Sequence, residues 1–167
     1  MDYIMKSKNI AIYGLLVALA FILSYIETLI PFPLMPGMKL GLANLVVIIA
    51  MYGLGYKESI VLSLIRILLV GFTFGNLSTM LYSLAGGILS WIMMAITRKS
   101  KLFSMVGVSV IGGVFHNVGQ IAIAILTVSN VYIITYLPLL LVTGVVTGAL
   151  IGLLAAMIIK RVNKYLR

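Results

Sequence analysis

Residues 136–156 read YLPLLLVTGVVTGALIGLLAA, a stretch without a single charged residue. A helix that crosses a bilayer needs about 20 predominantly apolar residues, and this stretch is part of a longer apolar segment at 131–160. Small residues recur in it every four positions, which lets a second helix approach closely; they are Gly144, Gly148, Gly152 and Ala156. The stretch therefore predicts a membrane-spanning helix with a packing face, turned either toward another helix of the same chain or toward a partner.

The composition of the whole chain points to the same class of protein. Of its 167 residues, 63% are hydrophobic and 9% are charged, whereas soluble domains are about 45–50% apolar and about 25% charged. We predict one domain over residues 1–167, an all-α integral membrane bundle of six transmembrane helices. Their approximate bounds are 9–30, 39–54, 58–73, 76–96, 103–128 and 131–160. The first segment is too long for a signal peptide and lacks a cleavage pattern.

Basic residues gather on one face of this predicted bundle. They flank the segments at Lys6, Lys8, Lys57, Arg98, Lys99, Lys101, Lys160, Arg161, Lys164 and Arg167. With six spans, all of these positions fall on one side, which the positive-inside rule makes cytoplasmic. We expect a bacterial cytoplasmic-membrane protein with both termini inside the cell. The net charge of +9 then reflects topology, so we expect lipid and no nucleic acid as surroundings.

Three ionisable residues do not follow this pattern. Glu27 lies near the outer end of the first segment, Lys39 opens the second on the outer side, and Arg66 lies inside the third. Ionisable groups at depth are costly and indicate a functional site. Two alternatives stay open: an ion pair of Glu27 with Arg66 or with Lys39 that only fixes helix packing, and a Lys39 side chain that reaches the headgroups. Arg66 also continues a polar stripe with Ser59 and Ser63.

Polar residues cluster again at 113–120, GVFHNVGQ. His116 and Gln120 are four apart and share a helix face, and Asn117 lies about 100° round the helix. We expect the three side chains to form one wall of a ligand pocket. The alternative is a buried hydrogen-bond network between helices. Further amides occur inside the second segment, at Asn44, and at the start of the fourth, at Asn76.

The sequence disfavours enzymatic chemistry. It has no cysteine, one histidine and three acidic residues, so we expect no zinc or haem site, no catalytic residue and no enzyme activity. No phosphate-binding GxxxxGK[ST] loop occurs either. Cationic groups together with amides suit an anionic ligand rich in hydrogen-bonding groups. This combination is typical of a transporter or a ligand-binding membrane protein.

Several stretches resemble the bacterial Gx transporter family, which is also labelled heptaprenyl diphosphate synthase component I. They are PGMKLGLANLV (36–46), SLIRILLVGFTFG (63–75), YSLAGGILS (82–90), GVSVIGGVFHNVGQ (107–120) and the stretch at 136–156. The resemblance implies a fold similar to the six-helix S components of energy-coupling-factor importers. For members associated with Rnf-type redox complexes and ApbE-type flavin transferases, it implies transport of a flavin for flavinylation outside the cytoplasm. We expect FAD first, with FMN or riboflavin as alternatives.

A flavin suggests roles for the candidate residues. Amides at Asn44, Asn117 and Gln120 would read the uracil-like edge of the ring, and Lys39 and Arg66 would hold phosphate. Aromatic side chains that could stack on the ring are Tyr13, Phe21, Tyr25, Phe32 and Phe72.

Other parts of the chain suggest a gate and a partner face. The segment PFPLMPG at 31–37 would act as a stiff lid. The small residues Gly14 and Ala18 of the first segment would receive an energising subunit or a second copy of the chain.

Two alternatives to flavin transport remain. One is an S component of a vitamin importer. The other is a non-catalytic scaffold subunit of a prenyl or redox complex, which would use the glycine stripe of the last segment. Catalysis of prenyl transfer is not expected, because the paired aspartates that hold Mg²⁺ against a diphosphate are missing; Asp2 is the only aspartate.

Overall fold

The structure, a computed structural model, describes residues 2–29 and 41–166, with side chains for 10–29 and 41–161. All regular structure in these ranges is helical. The helices are α1 (Asp2–Leu29), α2 (Asn44–Gly53), α3 (Tyr56–Thr73), α4 (Leu77–Ser100), α5 (Met105–Val128), a 3₁₀ helix (Val131–Tyr136) and α6 (Leu137–Leu166). We call the end of the bundle with the α2–α3 and α4–α5 turns the inner end, and the opposite end the outer end.

Within the described residues, four stretches are long and apolar enough to cross a membrane: Ile10–Leu29, Leu77–Ser100, Met105–Val128 and Val131–Arg161. The prediction of an all-α, multi-pass membrane protein is confirmed at this level. Helix α3 carries Lys57, Glu58 and Arg66, and α2 is a shorter apolar helix. The count of six spans therefore stays a prediction.

Helix α2 is shorter than the predicted segment 39–54. Gly41 has a φ of +83°, a left-handed conformation that glycine adopts without strain. A turn at residues 42–43 follows, and the helix begins at Asn44, whose amide donates to Gly41 O at 2.8 Å. Its ten residues extend about 15 Å, about half of a hydrocarbon core of roughly 30 Å. Hence α2 starts near the middle of the bundle.

Helix α5 lies between α4 and α6 and touches both closely. A Cβ on Gly119 would lie 2.7 Å from Ala85 O of α4, and one on Gly148 would lie 2.7 Å from Val110 Cα of α5. Side chains at these positions would collide with backbone, so only glycine allows the approach. The α6 stripe that includes Gly144 and Gly152 thus packs against α5 within the chain.

Helix α2 occupies the centre of the inner half. It packs against α1, α3 and α6, and Val46, Ile48 and Met51 are fully buried. Every other α-helix contributes to the same apolar cluster, through Ala20, Leu62, Met94, Val108, Ile151 and Ala155. The described bundle is therefore filled by apolar side chains on the inner side, and its largest buried polar side chains lie at or beyond the level where α2 starts; they are Glu27, Arg66, His116, Asn117 and Gln120.

Candidate functional site

Three polar features lie at the same depth in the bundle. At about 1.5 Å per residue, Arg66 of α3, His116 of α5 and the first residue of α2 each lie about 15 Å from the inner helix ends. This level is about the middle of a hydrocarbon core. The fold therefore gathers polar groups from separate helices where an ionisable side chain is most costly.

Arg66 is almost completely buried, with 4% of its surface exposed. Its Nε and Nη2 atoms have no hydrogen-bond partner among the described residues. The side chain borders a cavity of about 10 Å³, also lined by Ser24, Ile67, Val70, Gly71, Thr79, Met80 and Ser83. That space admits about one water molecule. Arg66 therefore offers unused donors next to three hydroxyl groups.

Glu27 connects α1 to the turn before α2. The side chain is 6% exposed, and its Oε1 accepts a hydrogen bond from Leu42 N at 2.7 Å. The predicted ion pair of Glu27 with Arg66 or with Lys39 stays a prediction, and Lys39 lies outside the described residues.

His116 and Gln120 lie on the other side of the same turn. Gln120 Nε2 donates to His116 Nε2 at 3.1 Å, and both residues are buried. A Cβ on Gly41 would lie 3.6 Å from His116 Cδ2 and 3.1 Å from Asn44 Nδ2, and one on Gly86 would lie 2.7 Å from His116 O. Gln120 Oε1 has no hydrogen-bond partner within the described ranges. The pair therefore faces α4 and the start of α2.

Asn117 and Asn76 are placed elsewhere. Asn117 Nδ2 donates to Leu140 O at 2.6 Å, so this side chain is turned to α6. Of the three clustered polar residues, His116 and Gln120 are the two that face α4 and the start of α2. Asn76 is exposed and caps α4, because its Oδ1 accepts from Thr79 N at 2.9 Å. Their predicted roles as ligand contacts stay predictions.

The serine stripe of α3 lies on the buried face of that helix. Ser59, Ser63 and Arg66 are all buried. Ser59 Oγ accepts from the indole of Trp91 at 2.8 Å, so the inner end of the stripe holds α3 to α4. Only the outer part, at Arg66, borders the cavity.

The candidate stacking residues are scattered. Phe21 and Tyr25 contact the ring of Phe74, with centroids 4.9 and 4.8 Å apart, and Phe74 was not among the predicted aromatics. Phe72 is 81% exposed, and the hydroxyl of Tyr13 donates to a backbone carbonyl at the inner end. Among the described aromatic side chains, Phe21, Tyr25 and Phe74 form a cluster near the outer side of the site.

Sequence reasoning also missed the role of Arg98. In the sequence, Arg98 indicated only which face is cytoplasmic. In the structure, its guanidinium lies between the rings of Tyr52 and Tyr56, 4.3 and 4.7 Å from their centroids. It also donates to Met51 O, near the C-terminal end of α2. Arg98 therefore fastens α4 to the α2–α3 turn at the inner end. A basic residue in the last turn of α4 was the only signal of this role in the sequence.

Three predicted features fall on parts of the chain that the structure does not describe. Lys39, Phe32 and the lid at 31–37 lie outside the described residues. By contrast, Gly14 and Ala18 of α1 are described and exposed, and a Cβ on Gly14 would meet nothing within 4 Å. That face of α1 is uncovered in the described bundle.

Comparison with known proteins gives one match. The family model described as heptaprenyl diphosphate synthase component I matches residues 16–158, a range that includes Glu27, Arg66, His116 and Gln120. No curated protein and no solved structure matches the chain.

Proposed function

The chain belongs to the family described as heptaprenyl diphosphate synthase component I, also called the Gx transporter family, and we propose that it carries a flavin across the bacterial cytoplasmic membrane. FAD is the proposed cargo, with FMN or riboflavin as alternatives. The transported flavin would serve flavinylation outside the cytoplasm. The binding site is the mid-depth group around the start of α2.

The observation that carries this proposal is that Arg66 is buried while two of its donor atoms have no hydrogen-bond partner among the described residues. A buried guanidinium with unused donors is costly, and its Nε and Nη2 have no hydrogen-bond partner among the described residues. A phosphate would accept from both donors in the bidentate arrangement that arginine favours. The hydroxyls of Ser24 and Ser83 border the same space and would add hydrogen bonds to phosphate oxygens.

The amides on the opposite side of the turn suit the flavin ring. Gln120 Oε1 is a buried acceptor with no hydrogen-bond partner in the described ranges, which matches an N–H on the uracil-like edge. Asn44 and His116 lie beside Gly41 and supply further polar groups. Rings for stacking are available near the outer end at Phe21 and Tyr25.

Loading a flavin requires the bundle to open. The cavity beside Arg66 has a volume of about 10 Å³, whereas small-molecule pockets are typically about 300–1,000 Å³. Helices α4–α6 are held by backbone contacts at glycine. We therefore infer that α1–α3 move away from α4–α6, with segment 31–37 as the lid and Lys39 as a second phosphate contact.

The uncovered face of α1 suits an energising subunit or a second copy of the chain, through Gly14 and Ala18. This surface keeps a vitamin importer as the second candidate function. A scaffold subunit was expected to bind its partner through the glycine stripe of α6. That stripe packs against α5 of the same chain, so it does not favour the scaffold alternative.

Catalysis is not part of the proposal, despite the word synthase in the family name. Of the three acidic residues, Asp2 is at the start of α1, Glu27 accepts a hydrogen bond from Leu42 N and Glu58 is exposed at the inner end. A Mg²⁺–diphosphate site needs several carboxylates together.

The proposal is tested by titrating the purified protein with FAD, FMN and riboflavin, following flavin fluorescence. Mass spectrometry of small molecules that survive purification provides the second readout. We expect FAD and FMN to bind more tightly than riboflavin, because only they carry phosphate for Arg66. Absence of binding for all three flavins contradicts the proposal.

A further inference from the structure

The cavity beside Arg66 is bordered by unused polar groups from two helices. Arg66 of α3 is 4% exposed and Ser24 of α1 is 1% exposed. Arg66 Nε and Nη2 and Ser24 Oγ have no hydrogen-bond partner among the described residues, and both side chains line the same cavity. Buried polar atoms almost always have a partner. Three unused atoms on side chains that line one space therefore indicate a ligand that accepts hydrogen bonds.

The described residues that line this cavity include no negative charge. Besides Arg66 and Ser24 they are Ile67, Val70, Gly71, Thr79, Met80 and Ser83. The hydroxyl of Thr79 is engaged in the cap of α4, because it donates to Asn76 O and accepts from Asn76 N, both at 2.9 Å. Glu27 is not among the lining residues, and its Oε1 accepts from Leu42 N. Within the described part of the chain, the cavity thus joins a cation to hydroxyl groups without an anion.

We propose that a chloride ion occupies this cavity in the cargo-free protein and is displaced by the phosphate of the cargo. The displacement step rests on the proposed flavin function, whereas the occupancy by chloride does not. Chloride accepts hydrogen bonds from Arg66 and Ser24 and balances the buried positive charge. When the cargo leaves, chloride returns, so one anion or the other lies beside Arg66.

Size and charge together favour chloride. The cavity has a volume of about 10 Å³, which admits about one water molecule, so a single-atom anion suits it better than a polyatomic one. A water molecule would also accept from the guanidinium, but it leaves the charge of Arg66 unbalanced at a depth where an isolated charge is most costly. Attraction between opposite charges is also much stronger there than in water.

The first test follows thermal unfolding of the cargo-free protein in detergent. Sodium gluconate, whose anion is too large for the cavity, is replaced stepwise by sodium chloride at constant ionic strength. We expect the melting temperature of the wild type to rise by a few degrees and then level off, because a ligand that binds only the folded state stabilises it. Ser24→Ala keeps Arg66 but loses one hydrogen bond to a charged group, so we expect it to need about tenfold more chloride for half of the rise.

Ser90→Ala is the matched control. Ser90 is also 1% exposed, and its Oγ also has no hydrogen-bond partner among the described residues, but it does not line the cavity. We expect its chloride dependence to equal that of the wild type. If chloride and gluconate give the wild type the same melting temperature, the cavity holds water only and the inference is overturned. Equal chloride dependence in Ser24→Ala and Ser90→Ala overturns it as well.

The second test measures competition in wild-type protein and does not depend on the folding of a variant. We expect FMN to bind about tenfold more weakly when chloride is present at about ten times its dissociation constant than in gluconate. Riboflavin, which has no phosphate, binds equally in both salts. An FMN affinity that does not respond to chloride, or a response shared by riboflavin, overturns the inference and leaves the flavin function intact. If no flavin binds while Ser24→Ala still shifts the chloride dependence, the flavin function fails and the chloride site is supported.

Discussion

Helices α4, α5 and α6 are joined by backbone contacts at glycine, whereas no glycine of α1, α2 or α3 makes such a contact with another helix. In the first group, a Cβ at Gly119 or Gly148 would lie within 3 Å of a neighbouring backbone atom. In the second group, a Cβ at Gly14 or Gly53 would meet nothing within 4 Å. One half of the molecule, which we call the scaffold half, is thus tightly packed through its backbone, and the other half lacks such contacts at its glycines.

The proposed binding groups come from both halves. Arg66 and Glu27 belong to α1–α3, and His116 and Gln120 belong to α4–α6. The turn at the start of α2 lies between the two pairs, since Leu42 contacts Glu27 and Gly41 lies beside His116. A site divided in this way closes on its ligand when the halves approach and opens when they separate.

The largest loss of stability is expected in the scaffold half. In Gly148→Ala the new methyl group would lie 2.7 Å from Val110 Cα and 2.9 Å from Ser109 O. Backbone must shift to admit it, which costs about 1–3 kcal/mol. Gly14→Ala is the matched substitution in the other half and loses no stability. Thermal unfolding in detergent compares the two variants, and equal melting temperatures contradict the proposed difference between the halves.

A smaller loss is expected where the two halves are fastened at the inner end. Arg98→Gln removes the stacking on Tyr52 and Tyr56, each contact being worth about 0.5–1 kcal/mol. We expect a loss of about 1–2 kcal/mol in the free energy of unfolding. Lys99→Gln, the exposed neighbour, changes it by less than about 0.5 kcal/mol. If both variants unfold alike, Arg98 does not fasten the halves.

The smallest effect separates a packing amide from a binding amide. Asn117→Ala loses the hydrogen bond to Leu140 O, worth about 0.6 kcal/mol in a membrane and up to about 1.7. Because Asn117 is turned to α6, we expect FMN affinity to stay within about threefold of the wild type. Gln120→Ala, one helical turn later, weakens FMN binding about tenfold through loss of a hydrogen bond. An equal loss of FMN affinity in the two variants would show that Asn117 also lines the pocket.

The sequence predicted much of the scaffold half because its signals are local. Apolar length predicted segments at 76–96, 103–128 and 131–160, and the structure has α4 at Leu77–Ser100, α5 at Met105–Val128 and α6 at Leu137–Leu166, the last preceded by a 3₁₀ helix. Spacing of four located the face with Gly144, Gly148 and Gly152 that packs on α5. It also placed Arg66 on the buried face of α3 with Ser59 and Ser63.

The other half was harder to predict because its organisation depends on contacts distant in sequence. Residues 39–54 are apolar throughout except for Lys39 and Asn44, so hydropathy gave no sign that the helix starts only after Gly41. The contact of Glu27 with Leu42 and the place of Arg98 between two tyrosines follow from chain topology. No spacing rule reveals them.

The central claim is that Arg66 holds the phosphate of a flavin at the junction of the two halves. The most direct test is the affinity of Arg66→Gln for FMN and for riboflavin, with Lys99→Gln as the control for loss of a basic residue. We predict that Arg66→Gln weakens FMN binding by about tenfold to a hundredfold, as expected for hydrogen bonds to a charged group of about 1.5–3 kcal/mol, and changes riboflavin binding by less than about threefold. Wild-type affinity for FMN in folded Arg66→Gln would contradict the account.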